Sequence, residues 1–248
     1  MIKALILHAP GTNRDSDLAY AIELAGGQPE IKPLSILKEN KSDWRDYGFL
    51  ALPGGFSYGD ALGAGKLFAL DMQTWFNDTL HDFVESGRPV IGICNGFQAL
   101  VKSGILPDKD QKATLTFNQS ARFECRWVTL KPNKANPSPW LQDLALIECP
   151  VAHGEGRFIM QNSTDVPNHQ TALSYTYLDG TCAETVYPIN PNGSPKDIAG
   201  ITNSTGNVLG LMPHPENHVH PYQHPRWTRG QQNGLGLDLF KNGIRMAS

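Results

Sequence analysis

The chain has 248 residues and a formal net charge of −3, with 40% of its residues in the AVILMFWYC set and 18% charged. That composition is globular, and the length suits one α/β unit, taken as a single domain over residues 1–248. The near-neutral balance, with no two Lys or Arg residues adjacent, removes the electrostatic attraction that drives nucleic-acid binding. Apolar stretches such as Ala4 to Leu7 fall far short of the ~18 residues a membrane helix needs, and no basic leader opens the chain. The expectation is a cytoplasmic protein with neither nucleic acid nor membrane as partner. Six N-x-[ST] matches, at Asn40, Asn77, Asn118, Asn162, Asn192 and Asn203, are then idle. Cys94, Cys125, Cys149 and Cys182 are dispersed, with no C-x-x-C pair to suggest a disulfide frame or a zinc knuckle.

In chain order, Lys3 to Ala9 reads as a buried strand bounded by Pro10-Gly11. Asn13 and Asp15 are candidate caps for a helix from Asp17 to Ala25, which stops at Gly26-Gly27. Glu30 to Leu34 predicts a second strand that Pro33 holds to an edge. Phe49 to Leu52 predicts a third, broken at Pro53-Gly54-Gly55. Two helices are predicted over Gly65 to Gln73 and Thr74 to Ser86, then a strand over Val90 to Ile93 and a helix from just after Cys94 to Ser103. Strand and helix alternate here, which predicts a parallel sheet with helices on both faces. From Ala113 onward short β-rich runs (114–117, 125–130, 171–178, 199–202 and 208–212) extend or flank that sheet, and a last helix is predicted over Gln232 to Phe240.

Three stretches carry chemistry. Gly92-Ile-Cys94-Asn-Gly96 lies where a buried strand turns into a helix, with small residues two before and two after the sulfur, as a nucleophile elbow requires. The helix N-terminus would favour thiolate at Cys94, and the amide of Asn95 would face an oxyanion. Met212-Pro-His214-Pro-Glu216 offers a base: Pro215 drives His214 to extended geometry, where residues i and i+2 share a side, so Glu216 can accept the Nδ1–H. Pro53-Gly-Gly-Phe-Ser-Tyr-Gly-Asp60 follows a strand, and Gly55 is the natural second oxyanion donor. A metal site among His214, His218, His220 and His224 is disfavoured by prolines 215, 221 and 225, which prevent helical spacing. No nucleotide-binding loop is visible, so no cofactor or metal is expected in this chain.

Taken jointly, an early Gly-Gly turn, a G-x-C-x-G elbow and a late H-P-E resemble the class I, triad-type glutamine amidotransferases. "PGGFSYGD", "GICNGFQAL", "VAHGEGRF", "YPINPNGS", "IAGITN", "GLMPHPE" and "RGQQNGLGLDLF" are similar, more closely still, to the glutaminase subunits and domains of phosphoribosylformylglycinamidine synthases, over Ile2 to about Phe240. One stretch departs: the small bacterial subunits usually have an arginine shortly after Gly59-Asp60, whereas Ala61 to Lys66 is closer to the fused, single-chain form.

The resemblance implies a flavodoxin-like three-layer α/β sandwich with a mostly parallel central sheet and extra β-strands in the C-terminal half. It implies Cys94 as nucleophile, His214 as base, Glu216 as its orienter, Gly55 and Asn95 as oxyanion hole, and Gln98, Gly154 and Glu155 near the amino-acid end of the substrate L-glutamine. His153, followed by Glu155 at the same spacing, is the decoy for the triad. A synthetase subunit carrying ATP and Mg is the implied partner, with a small accessory subunit a further candidate. The competing expectations are a cysteine hydrolase or chaperone of the PfpI type, which generally lacks the H-P-E, and an inactive regulatory module, which typically loses the cysteine or histidine.

Overall fold

The computed structural model describes residues 1–108, 110–161 and 166–248, and of residues 41–43 the backbone alone; the N-x-[ST] match at Asn162 lies outside the described residues. The first half alternates as the sequence predicts: β1 (Lys3–His8), α1 (Asp15–Leu24), β2 (Gln28–Pro33), α2 (Leu34–Glu39), β3 (Phe49–Leu52), α3 (Lys66–Glu85), β4 (Val90–Ile93) and α4 (Asn95–Lys102). The second half adds β5 (Ala113–Thr116), β6 (Glu124–Pro132), β7 (Ile147–His153), β8 (Arg157–Met160), β9 (Thr171–Thr176), β10 (Ile198–Thr202), β11 (Val208–Leu211) and α5 (Leu237–Met246).

Nine strands form one sheet in the order β2-β1-β3-β4-β11-β10-β9-β6-β7, and β5 pairs with β8 separately. The first five are parallel, in the 2-1-3-4-5 arrangement of flavodoxin-like folds. The other four continue antiparallel, with β9 and β7 running the way of the parallel block, so seven of the nine strands share one direction. Strands β1, β3 and β4 are near-continuous apolar runs because both of their faces are covered. Helices α1 and α5 lie together on one face, α3 and α4 on the other. The helices come close only where side chains are missing. A Cβ on Gly92 of β4 would stand 2.5 Å from Leu100 Cδ1 of α4, and one on Gly243 of α5 would stand 2.5 Å from both Phe49 and Trp140.

Several expectations need correction. The two helices predicted over 65–86 are one, because the buried stripe Phe68, Met72, Phe76, Leu80 and Phe83 keeps helical spacing straight through Thr74. Helix α1 takes no side-chain cap from the described residues: Asp15 instead holds His8 Nδ1 at 2.7 Å, and Asn13 packs against Gly55. The last helix begins at Leu237 and not Gln232, since 231–236 runs along β7, where the Glu148 amide donates to the Gly234 carbonyl. Three elements had no clear signal: α2, only six residues long, and β7 and β8. Pro150 interrupts the apolar pattern of β7, yet it is tolerated because β7 is the sheet edge, where one side of the strand needs no donor. No helix among the described residues is long and apolar enough to cross a membrane.

Gly210 of β11 gives a test of this packing, for a Cβ there would lie 2.0 Å from Phe97 Cδ2. Gly210→Ala should cost about 1–3 kcal/mol, read as a lower urea midpoint at unchanged slope.

Candidate active site

Cys94 is the hinge between β4 and α4, with φ 50° and ψ −104°, a conformation that costs of order 1–3 kcal/mol for a residue with a Cβ. Close packing holds it there. A Cβ on Gly96 would stand 2.0 Å from the Leu52 carbonyl oxygen, and one on Gly92 would stand 2.8 Å from the Gly96 oxygen. The small residues on either side of the sulfur are therefore required by contact. The Cys94 amide donates to Leu211 O at 2.8 Å, tying the elbow to β11, and Sγ lies 3.8 Å from the Ala152 carbonyl of β7.

His214 follows β11, and its amide donates to Pro150 O of β7 at 2.8 Å. Its ring Nδ1 donates to Glu216 Oε1 at 2.6 Å; a carboxylate only accepts, so Nε2 is left free to serve the neighbouring Cys94 sulfur. The pair does not form in the extended chain the sequence suggests. Pro215–Asn217 is a single 3-10 turn with Pro215 as its first residue, and that turn folds Glu216 back under the ring. Histidine and carboxylate are both buried, and Glu216 Oε2 meets no hydrogen-bond partner among the described residues. A Cβ on Gly54 would stand 2.7 Å from His214 Cε1 and 3.4 Å from Cys94 Cβ, so the imidazole rests on a bare Cα.

Burial alone pulls the His214 pKa down and is the largest single effect. The Glu216 carboxylate, a charged Cys94 and hydrogen bonds to both outweigh it together and raise the pKa from 6.5 to about 10. The neighbouring groups compete little for protons. Burial, then the charge of Glu216, pushes the Cys149 thiol well up. His153 is pushed down to about 3 by burial and by repulsion from His214. Its Nδ1 donates to Asn118 Oδ1 at 3.0 Å, while the Glu155 carboxylate turns away to the Ala64 amide at 3.2 Å and to Lys102 at 3.9 Å. The decoy pair is therefore not formed.

Of the remaining predicted residues, Asn95 and Gln98 stand on α4 and Glu155 meets Gln98, while Gly55 and Gly154 pack elsewhere. Asn95 is its first residue, where a backbone amide has no intrahelical acceptor. Gly55, with φ 136°, packs so tightly on Thr12 and Asn13 that a Cβ would meet the Asn13 nitrogen at 2.7 Å. Gln98 Nε2 donates to Glu155 O at 2.7 Å, and its Oε1 accepts from Asn95 Nδ2 at 3.1 Å. The Gly154 carbonyl accepts the Asn118 amide at 2.9 Å.

The histidines after Glu216 are tied to protein groups, two of them to Glu148: His218 Nδ1 donates to Glu148 O, His224 meets the Glu148 carboxylate, and His220 meets Tyr20. Among the described residues no group of three or more His, Cys, Asp or Glu side chains is placed to hold a metal ion. A cleft of about 600 Å³ lined by Arg126, Trp127, Glu148 and His224 includes neither Cys94 nor His214, so reactive groups, not cavity size, locate the site. Sequence reasoning gave no role to Ser57 or Asp60, and to Gly54 only the close main-chain approach to a substrate that a pair of glycines allows. All three stand in the quoted Gly-Gly stretch, but only contact with His214 and Asn95 distinguishes them.

The pattern of the CobB/CobQ-like glutamine amidotransferase domain matches residues 1–246. The chain belongs to this family. Within it, the chain is 50% identical to the phosphoribosylformylglycinamidine synthase subunit PurQ of Treponema denticola, over 98% of this chain and 97% of that protein. It is 44% identical to the subunit of the same name from Dehalococcoides mccartyi, over 99% and 98%. A solved structure of PurLQS from Thermotoga maritima contains a chain with 32% identity and a TM-score of 0.75, covering 98% of each. These amidotransferase relatives bear out the flavodoxin-like frame and the family resemblance read from the sequence.

The His214 shift has a measurable sign. Its folded pKa lies above the unfolded 6.5, so its contribution to stability is fully present below about pH 6.5 and is lost as pH rises through about 10. Glu216→Gln removes the main opposing charge, so the His214 ring should titrate at lower pH, as followed by NMR of its ring protons.

Proposed function

We propose that this chain is the glutaminase subunit of a phosphoribosylformylglycinamidine synthase. It hydrolyses L-glutamine to glutamate and ammonia and hands the ammonia to a synthetase partner, which uses it in the ATP-dependent amidation of formylglycinamide ribonucleotide in purine biosynthesis. The observation that carries this reading is the line of Cys94, His214 and Glu216 at a strained elbow, in a chain half identical to a named subunit of that enzyme along nearly its whole length.

The chemistry follows from these groups. Cys94 Sγ, its proton held by His214, attacks the side-chain carbonyl carbon of glutamine. Negative charge then develops on the carbonyl oxygen, where the amides of Asn95 and Gly55 receive it, each contributing about 3–4 kcal/mol to lowering the barrier. Amide nitrogen leaves poorly unless protonated, and His214 donates that proton through Nε2, so ammonia departs and a glutamyl thioester remains. Water, deprotonated by the now neutral His214, attacks the thioester; the C–S bond breaks, glutamate leaves and Cys94 is restored. The Glu216 carboxylate keeps Nδ1 protonated throughout, so only Nε2 exchanges protons with substrate. Gln98, whose Nε2 donates to Glu155 O, is assigned with Gly154 and Glu155 to the amino-acid end of the substrate.

ATP and Mg are assigned to the synthetase, and a small accessory subunit and cytoplasmic residence belong to the same proposal. Cys94→Ala should abolish glutamine-dependent product formation by the reconstituted complex, by at least about 1,000-fold. Ammonia-dependent synthesis should survive, because free ammonia bypasses the thioester. Gly54→Ala should lower glutamine turnover by about 100-fold by displacing the imidazole. The chain without its synthetase should turn over glutamine slowly, and a glutamate-release assay with and without the partner checks this. Peptide and glyoxal substrates, assayed alongside, would be accepted only by a hydrolase of the PfpI kind.

A further inference from the structure

The two amides assigned to the oxyanion come from different elements, Gly55 from the loop after β3 and Asn95 from the start of α4. A misplacement of about 1 Å at such a site costs of order 100-fold in rate, so something must fix their separation. The Asn95 side chain spans this gap. Its Oδ1 accepts from Ser57 Oγ at 2.5 Å and from the Ser57 amide at 3.3 Å. Its Nδ2 donates to Gln98 Oε1 at 3.1 Å and to Asp60 Oδ1 at 3.2 Å. Partner chemistry fixes the amide's orientation, since a backbone N–H needs an acceptor and an aspartate oxygen needs a donor. Ser57 and Asn95 are both 2% exposed, so water cannot replace these bonds without rearrangement.

The clasp holds a backbone that would not hold itself. Tyr58, Asp60 and Leu62 have φ of 55°, 55° and 62°, left-handed values that persist only where surrounding contacts over-determine them. The Tyr58 amide donates to Pro10 O at 2.6 Å and the Tyr58 hydroxyl donates to Asp71, but these bonds fix the far side of the turn. Ser57 and Asp60 both tie the loop to Asn95, the residue next to Cys94, and Ser57 is the nearer to Gly55, two residues away.

We propose that Ser57, acting through the Asn95 carboxamide, is a positioning residue that sets the spacing of the two oxyanion donors. The inference rests on the glutaminase reading above and adds a residue to it. A merely structural role would disturb every property of the site, whereas a positioning role affects only steps that build an oxyanion. Alkylation of Cys94 by iodoacetamide separates the two, because displacement at a saturated carbon places no charge on a carbonyl oxygen.

The test compares Ser57→Ala with wild type in the complex with the synthetase. Glutamine kcat should fall about 10- to 100-fold with KM within about threefold, the alkylation rate should stay within about twofold, and Ser57→Thr should recover most of the loss. Asn95→Leu keeps the backbone amide but cuts the same clasp, so adding Ser57→Ala to it should cost little more. Unchanged kcat in Ser57→Ala, a parallel fall of kcat and alkylation, or full multiplication of the two losses would each overturn the inference. Wild-type complex that hydrolyses no glutamine would overturn the glutaminase reading and this inference with it. Wild-type turnover matched by Ser57→Ala would overturn this inference alone.

Discussion

Everything at the site depends on how closely two chain segments approach at Gly54. The imidazole of His214 lies on a residue with no side chain, and the sulfur stands at a backbone angle that residues with a Cβ rarely adopt. Neither is a comfortable arrangement in isolation. Both are imposed by packing: the Leu52 carbonyl against Gly96, Leu100 against Gly92, and Phe97 in the space left by Gly210. The core provides rigid surfaces, and the strained residue is the one proposed to attack the substrate.

Burial then sets the electrostatics. In water a histidine beside a carboxylate gains little, whereas His214 and Glu216 are both shut away from solvent, where each charge needs the other. The same burial silences the nearby groups that would interfere. Cys149 holds its proton more tightly, and His153 loses its own. Burial pushes both histidines down, and His214 ends up raised because it has a carboxylate within reach.

The parallel half of the fold was legible because its signals are local: apolar runs of strand length, Gly-Gly and Pro-Gly breaks, and small residues flanking Cys94. Cys94, His214 and Glu216 were legible because their neighbours restrict them, although the reason given for the last pair was wrong. Pro215 does its work by opening a 3-10 turn, a tertiary outcome that dihedral preference alone does not distinguish from an extended chain. What escaped detection was non-local. Strand β7 carries a proline that breaks its pattern and is excused only by an edge position, and α3 was split because Thr74 was read without the stripe that runs past it. Ser57 and Asp60 gain meaning only from Asn95, more than thirty residues away.

The bond from the His214 amide to Pro150 O ties the edge strand to the candidate site. Successive carbonyls along a strand point to opposite sides, so a slip of β7 by one residue against β6 would turn that acceptor away and exchange the buried and exposed faces of the strand. The strand can therefore not gain or lose a single residue, and the connection over 133–146 before it is anchored as well, with Trp140 buried against Phe49 and its indole N–H donating to Asn207 O. Sequence drift is locked in the register of the outermost strand, far from the sulfur in the sheet order yet one hydrogen bond from His214.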